Sequence, residues 1–511
     1  MKNSKVLVFL FLSLVFFSCT KLDESFRSEL QAGNTSSITA GDLLVGAYGS
    51  LNGPFHGNGS FWSSQEISSD EAIAPTRGPD WDDNGQWRML HLHSWNADQD
   101  QISGAFNDLL RAQFAASNVL EFNPTAQQAA EARFLRAFSM YWVLDGYDQV
   151  PYREDLTDYK ITPKTLKGVE ALDFIVSELN AALPDLPDNG PAYVASKNAA
   201  RVLLMKAYLN KGVYANRATP TFDAADMNQV ITLADQIIGS NKYALDDNFF
   251  DNFAPDNDVK SSENIYTFYS KAGDRGGDVR GSAFMVSHYN MNPGGWNGFA
   301  TLSDFYDKFE AADQRRGIYY NYPAALPNPG HRVNVGYLIG QQYNLTTDEP
   351  LKDRKGNPLV FTREVKLRET DDNTLERSGI RVIKYPFDYA ASGDQKNNDL
   401  SVFRYADVLL MKAEALLRTN SAGPALTIVN SIRAKRGAGN LGVLDLNSML
   451  DERGREMYWE GYRRQDLIRF GKFLQAWQEK PASDPRSLLF PIPNSQLAVN
   501  TNLVQNPGYS N

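Results

Sequence analysis

Apolar side chains return at helical intervals over two tracts of the chain. In the first, from about residue 103 to 212, Phe134, Phe138, Tyr141 and Trp142 fall at i, i+4, i+7 and i+8. Ala200, Leu203, Leu204, Ala207 and Tyr208 fall at i, i+3, i+4, i+7 and i+8, so each set lines one helix face. Pro124, Pro163, Pro184 and Pro187 punctuate the tract. The expected helices are 103–122, 126–145, 166–183 and 196–212. The second tract predicts helices over 401–419, 423–436 and 448–474, with Ala406, Leu410, Ala413 and Leu417 on one face of the first. Paired helices that alternate alanine with large aromatics point to tetratricopeptide-like repeats. Residues 52–98 and 213–400 are different. They are rich in Gly, Asn, Asp, Pro, Trp and Tyr, show little period, and predict long irregular loops with a few short strands, such as 264–269 and 380–385. The expected class is therefore mainly α, a scaffold of helix pairs that carries loops. Loops of this length in a folded protein belong to function or to disorder, and their aromatic content argues against disorder.

Composition narrows the function. With 42% hydrophobic and 22% charged residues the chain is globular in character. A net charge of −10 opposes binding to phosphate backbones, so nucleic acid is not an expected partner. The single cysteine, Cys19, excludes an intrachain disulfide, and its position gives it another meaning. Lys2 and Lys5 precede an apolar run from Val6 to Phe17, and Ser18 precedes the cysteine. This order is that of a secretory signal over residues 1–18, and the run is too short for the ~20 residues that span a bilayer. Lipidation of Cys19 would anchor the body formed by residues 19–511, since several acyl chains hold stably where one does not.

Several strings then resemble landmarks of the SusD/RagB family. They are Ala132-Arg133-Phe134-Leu135-Arg136-Ala137-Phe138 leading to Gly146-Tyr147-Asp148-Gln149-Val150-Pro151; Arg404-Tyr405-Ala406-Asp407 with the helix that follows; and Asn430-Ser431-Ile432-Arg433 through Gly437. Glu452-Arg453, Glu456, Glu460-Gly461, Arg463 and Asp466 through Arg469 form a fourth, and Gln505-Asn506-Pro507-Gly508-Tyr509 closes the chain as the family closes. The resemblance implies a helical lipoprotein on the outer-membrane surface, placed over a SusC-like TonB-dependent barrel. It implies capture of oligosaccharide by aromatic residues on irregular loops, with no bond broken and no cofactor. A branch of the family handles peptides, and a surface glycoside hydrolase is the remaining alternative.

Sugar rings offer apolar C–H faces to flat aromatics and hydroxyl edges to fixed donors and acceptors. The segment from Arg77 to Trp95 has both kinds of partner, so Trp81, Trp87 and Trp95 are candidate platforms, with Arg77, Asp80, Asp82 and Asn84 as orienting groups. Tyr289 and Trp296, near Asn292, Asn297 and Phe299, form a second candidate patch. The competing expectation is that these tryptophans only fasten loops to the scaffold. Asp80-Trp81-Asp82-Asp83-Asn84-Gly85 begins like a calcium loop, but His91 stands where its bidentate glutamate belongs, and a polar turn accounts for it better. His91 and His93 lack the partners of a zinc site. No metal is expected. Glu452, Glu456 and Glu460 share a helix face, yet the surrounding arginines favour ionised carboxylates, the opposite of a glycosidase acid. An ion-pair network is the expected role. Replacing Cys19 by serine should abolish labelling with radioactive palmitate and move the chain to the soluble fraction; retained label would remove the anchor.

Overall fold

The computed structural model describes residues 38–510, apart from 155, 157, 159, 275–279, 322–326 and 392–394. The signal segment and Cys19 lie outside the described residues. None of the described helices is long and apolar enough to cross a membrane.

The helices that frame the structure are α1 (Ala40–Ser50), α2 (Phe61–Ile67), α3 (Gln86–Leu92), α4 (Asp100–Leu120) and α5 (Ala126–Tyr147). They continue with α6 (Gly168–Ala182), α7 (Lys197–Ala215), α8 (Ala224–Gly239), α9 (Arg280–Val286), α10 (Tyr405–Arg418), α11 (Ala422–Lys435), α12 (Leu446–Met457) and α13 (Arg463–Arg469). Each of α4 to α7 packs on the next; α8 then meets α10, and α10 meets α11. Local chemistry sets the ends. Thr125 and Gln128 form a reciprocal capping box at the start of α5, and Asp148 ends it in the left-handed region at φ 64°. Ser196 caps α7 through the Ala199 amide. Phe134, Phe138 and Trp142 of α5 point inward to an aromatic core with Phe61, Tyr266 and Phe403.

Four expectations need correction, the last being the unbroken helix over 448–474. Residues 213–400 contain a full helix, α8, whose Met227, Val230, Ala234 and Ile237 are buried. Its β-branched residues and the Asn- and Asp-rich surroundings hide the period. The 52–98 tract is also more ordered than its texture suggests, because α2 is buried along its whole length. The 401–419 helix begins only at Tyr405, since Leu400–Arg404 forms a strand paired antiparallel with Asn264–Phe268. Other strand pairs are short, among them Thr76–Arg77 beside Arg368–Glu369 and a three-stranded sheet of Gly317–Ile318, Val335–Leu338 and Arg381–Ile383.

The last helical tract is broken between α12 and α13. Trp459 and Gly461 adopt φ of 58° and 82°, and their amides donate to Glu71 and Glu66 at 3.0 and 2.6 Å. Both of these carboxyls are buried in α2 and the turn after it, and burial raises both pKa values.

Acidic side chains of α12 hold the frame to the loops. Glu456 accepts from Arg436 at 2.8 Å and from Arg404 and Arg315 at 3.1 Å each, and all four side chains are inaccessible to solvent. Glu452 takes Arg315, Arg433 and Arg455, each at 2.7 Å. Glu460, in the turn, takes Arg404 and Lys384, each at 2.6 Å. Burial alone would raise the α12 carboxyls. The guanidinium groups outweigh it, taking Glu452 down to about 2 and holding Glu456 well below the carboxylate range. These groups carry stability that is complete above the unfolded carboxylate pKa of about 4.3 and is lost as the pH falls towards 2. Unfolding midpoints should therefore drop steeply in that interval. Glu456→Gln, which leaves three buried cations short of charge, should cost about 3–5 kcal/mol in urea unfolding at pH 7. Wild-type stability in that variant would show the network to be dispensable.

Candidate functional site

The sequence-selected residues divide sharply by burial. Arg77 is 2% exposed, and its guanidinium donates to the Leu375 carbonyl (2.7 Å), the Ser378 hydroxyl and carbonyl (2.7 and 3.0 Å) and the Gly298 carbonyl (3.2 Å). Its donors are spent on protein, and burial lowers its pKa to about 10. Arg77 is a clamp between loops, which corrects its expected role as an orienting group. Trp87 and Trp95 are corrected as well. Trp87 is 3% exposed and donates to Asp83 at 2.6 Å; Trp95 is 1% exposed, donates to Tyr509 at 2.6 Å and packs on Phe490. Neither indole has a face open to a ligand. His91 and His93 are core residues, the former pushed down to about 4 by burial. Phe299 and Asn297 of the second patch are also buried, Asn297 accepting from Arg381 at 2.8 Å.

The remaining residues meet. Positive φ values at Gly78, Trp81, Asp83, Asn84 and Gly85 fold the early loop into a tight turn. Within it Arg77 and Asp80 exchange backbone hydrogen bonds of 2.8 and 3.2 Å. Trp81 is half-buried, lies 5.5 Å from Trp87 and 5.2 Å from Phe299, and donates its indole N–H to the Trp296 carbonyl at 2.9 Å. Trp296 is 49% exposed. The stretch that carries it closes the end of α9. The amides of Trp296, Asn297 and Gly298 donate to Phe284, Ser287 and Met285 at 2.6, 2.9 and 2.7 Å. Orphan carbonyls at a helix terminus need such donors, so the loop that exposes Trp296 is itself fixed.

Polar groups border this aromatic pair. Tyr289 donates to Asp80 at 2.7 Å, and burial followed by that bond pushes its pKa up to about 12. The Arg354 guanidinium lies 3.8 Å from the Tyr289 ring centre and donates to Glu376 at 2.6 Å. Glu376 also meets His288 at 2.9 Å, whose pKa burial lowers to about 4. Asp82 pairs with Arg88 at 2.7 Å, and Asn84 is exposed at the tip of the turn. Arg354 and Glu376 had no sequence signal, lying far along the chain in a tract without period. The acidic turn has protein partners for Asp80, Asp82 and Asp83, and no group of three or more metal-ligating side chains is found among the described residues.

Comparison with known proteins is consistent across the chain. The profile described as the SusD family matches residues 235–509. The starch-binding protein SusD of Bacteroides thetaiotaomicron is 25% identical over 503 residues, covering 90% of this chain and 88% of that protein. SusD-like protein P2 of Formosa agariphila is 23% identical over the full length of both. Among solved structures, a SusD superfamily protein from Parabacteroides distasonis superposes with a TM-score of 0.71 at 19% identity, covering 92% of this chain and 98% of that one. Surface glycan-binding protein A from Bacteroides thetaiotaomicron, in complex with laminarihexaose, gives 0.68 at 19% identity, with 91% and 98% covered.

Gly298 holds the two loops together by having no side chain. A Cβ there would stand 2.2 Å from the Trp81 ring and 2.8 Å from the Met285 carbonyl. Gly298→Ala should destabilise by about 1–3 kcal/mol through overpacking. The loss should shrink in a Trp81→Leu background, which vacates the contested space. Equal losses in both backgrounds, measured by thermal unfolding, would place the strain elsewhere.

Proposed function

Because the chain belongs to the SusD family, we propose that it captures oligosaccharide or polysaccharide at the bacterial cell surface without cleaving it. Trp296 and Trp81 are the stacking platforms, and Asp80, Tyr289 and Arg354 orient hydroxyl groups at their border. Asp82 and Asn84 lie within reach of a longer chain. The observation that carries this reading is the exposed Trp296, whose backbone carbonyl holds the half-buried Trp81, with the Asp80–Arg354 pair next to Trp81. Such a surface is costly to leave in water without a ligand that matches both its flat and its polar parts.

The relatives agree on the class of ligand: one is named for binding starch, and another holds laminarihexaose. Non-catalytic action is supported by the fate of the glutamates that cluster on one face of α12. A glycosidase needs two accessible carboxyl groups, one with a raised pKa, and Glu452 and Glu456 are enclosed and held ionised. Anchoring through Cys19 and transfer of the captured glycan to a TonB-dependent outer-membrane barrel complete the proposal. Both rest on the leader sequence and on the family.

Calorimetry of the chain freed of residues 1–19, against a panel of polysaccharides, tests the function. Trp296→Ala should weaken the best ligand by about tenfold or more, as expected for removing a buried aromatic contact. Trp95→Phe should leave affinity unchanged. Release of shorter sugars on incubation, or undiminished binding by Trp296→Ala, would refute the reading.

A further inference from the structure

At Met291 and Asn292, in the same loop as Trp296, a cleft of about 330 Å³ opens towards the Val335–Leu338 strand. Met291, Asn292 and Tyr389 connect it to the aromatic surface, the Tyr389 hydroxyl reaching the Asn292 carbonyl at 3.5 Å. Its volume lies within the range of small-molecule sites. Its charge is the unusual feature. The chain carries −10 overall, yet the lining residues include Arg316 and Arg332 and no carboxylate.

Arg316 differs from its neighbour. Arg315 is enclosed and shared among Asp313, Glu452 and Glu456. Arg316 is half-buried, stacks 4.6 Å from the centre of the Tyr306 ring and donates from Nε to the Tyr306 hydroxyl at 2.7 Å. It has no carboxylate partner among the described residues, so both terminal amino groups of its fork remain unspent. Arg332 lies 3.6 Å from the centre of the Tyr343 ring and pairs with Asp348 at 2.8 Å, which fixes its plane. A partly desolvated guanidinium held by one nitrogen gains most from a ligand that brings two oxygens and a negative charge. Tyr343 and Tyr389 are half-buried and add flat surface beside it, while Asn334 and Gln341 spend their amide donors on main-chain carbonyls and brace the wall.

We propose that this cleft is an acidic-sugar subsite, in which Arg316 receives the carboxylate or sulfate of a saccharide whose neighbouring units rest on Trp296. The inference depends on the glycan reading of the aromatic surface and narrows it to anionic chains. Arg316 grips the anion, Arg332, neutralised by Asp348, backs the Tyr343 ring, and the tyrosines hold the sugar.

Calorimetry with size-matched neutral glucan, polyuronate and sulfated galactan oligosaccharides separates the possibilities. Wild type should bind one of the two acidic ligands best, and which one distinguishes carboxylate from sulfate recognition. Arg316→Gln should weaken that ligand by about tenfold or more, with neutral-glycan binding changed less than about twofold. Arg316→Lys should restore part of the loss, since it keeps the charge and removes the fork. If Arg316→Gln does not fold, Arg316→Lys and the salt response of wild type decide. Acidic-ligand affinity should fall about fivefold or more between about 20 and about 200 mM salt. Neutral glucan bound as tightly as both acidic ligands, with a Trp296→Ala defect, would overturn this subsite and leave the glycan reading standing. Absence of binding in every arm would overturn both.

Discussion

Glu456 brings three guanidinium groups to one carboxylate in the interior, from Arg315 in the loop region, Arg404 at the end of a strand and Arg436 just beyond α11. Moving such charges out of water is costly, and the cost is offset only when every partner is in place. Helical frame and irregular loops therefore depend on each other. Arg315 also pairs with Asp313 beside it, so the chain that leads to the cleft is positioned by the same charges that fix α12. A second buried group, with Asp407 between Lys206 and Arg453 and Glu414 on Arg469, ties α7 and α10 to α12 and α13. The interior is specified by polar geometry as much as by its aromatic packing.

Much of this was legible in the chain itself. The helix faces of α5 and α7 followed from apolar spacing, and the mixture of arginine and glutamate in α12 indicated an ion network. Residues whose role is set by distant partners were not legible. Trp87 and Trp95 sit in a tract that looks like loop, and only the arrival of Phe299 and Tyr509, far along the sequence, covers them. Arg77 read as a ligand-orienting group because its acceptors, the Ser378 hydroxyl apart, are main-chain carbonyls of residues 298, 375 and 378, which have no side-chain signature. Arg354, stacked on Tyr289, sits in a turn with no feature of its own. The meeting of the early and late loops has a physical cause in Gly298, where the absent side chain lets Trp81 approach.

The candidate surface is presented by loops, but few of its parts are loosely held. The end of α9 is closed by the strand of chain bearing Trp296, the Arg77 clamp joins three segments, and Tyr289 is tied to Asp80. Irregular backbone here is not the same as slack backbone. A rigid surface loses less conformational freedom on binding, so more of each contact appears as affinity.

Trp81 has already given its only hydrogen-bond donor to the Trp296 carbonyl. On the proposed reading it therefore contributes an apolar face alone, which responds to the flatness of a ring and is nearly blind to whether a hydroxyl stands axial or equatorial. Selection among stereoisomers falls to the side chains at the border and in the adjoining cleft. Affinity and stereochemical choice are thus held by different residues, and a lineage of such proteins is free to change its diet by exchanging border residues while the indole pair stays as it is.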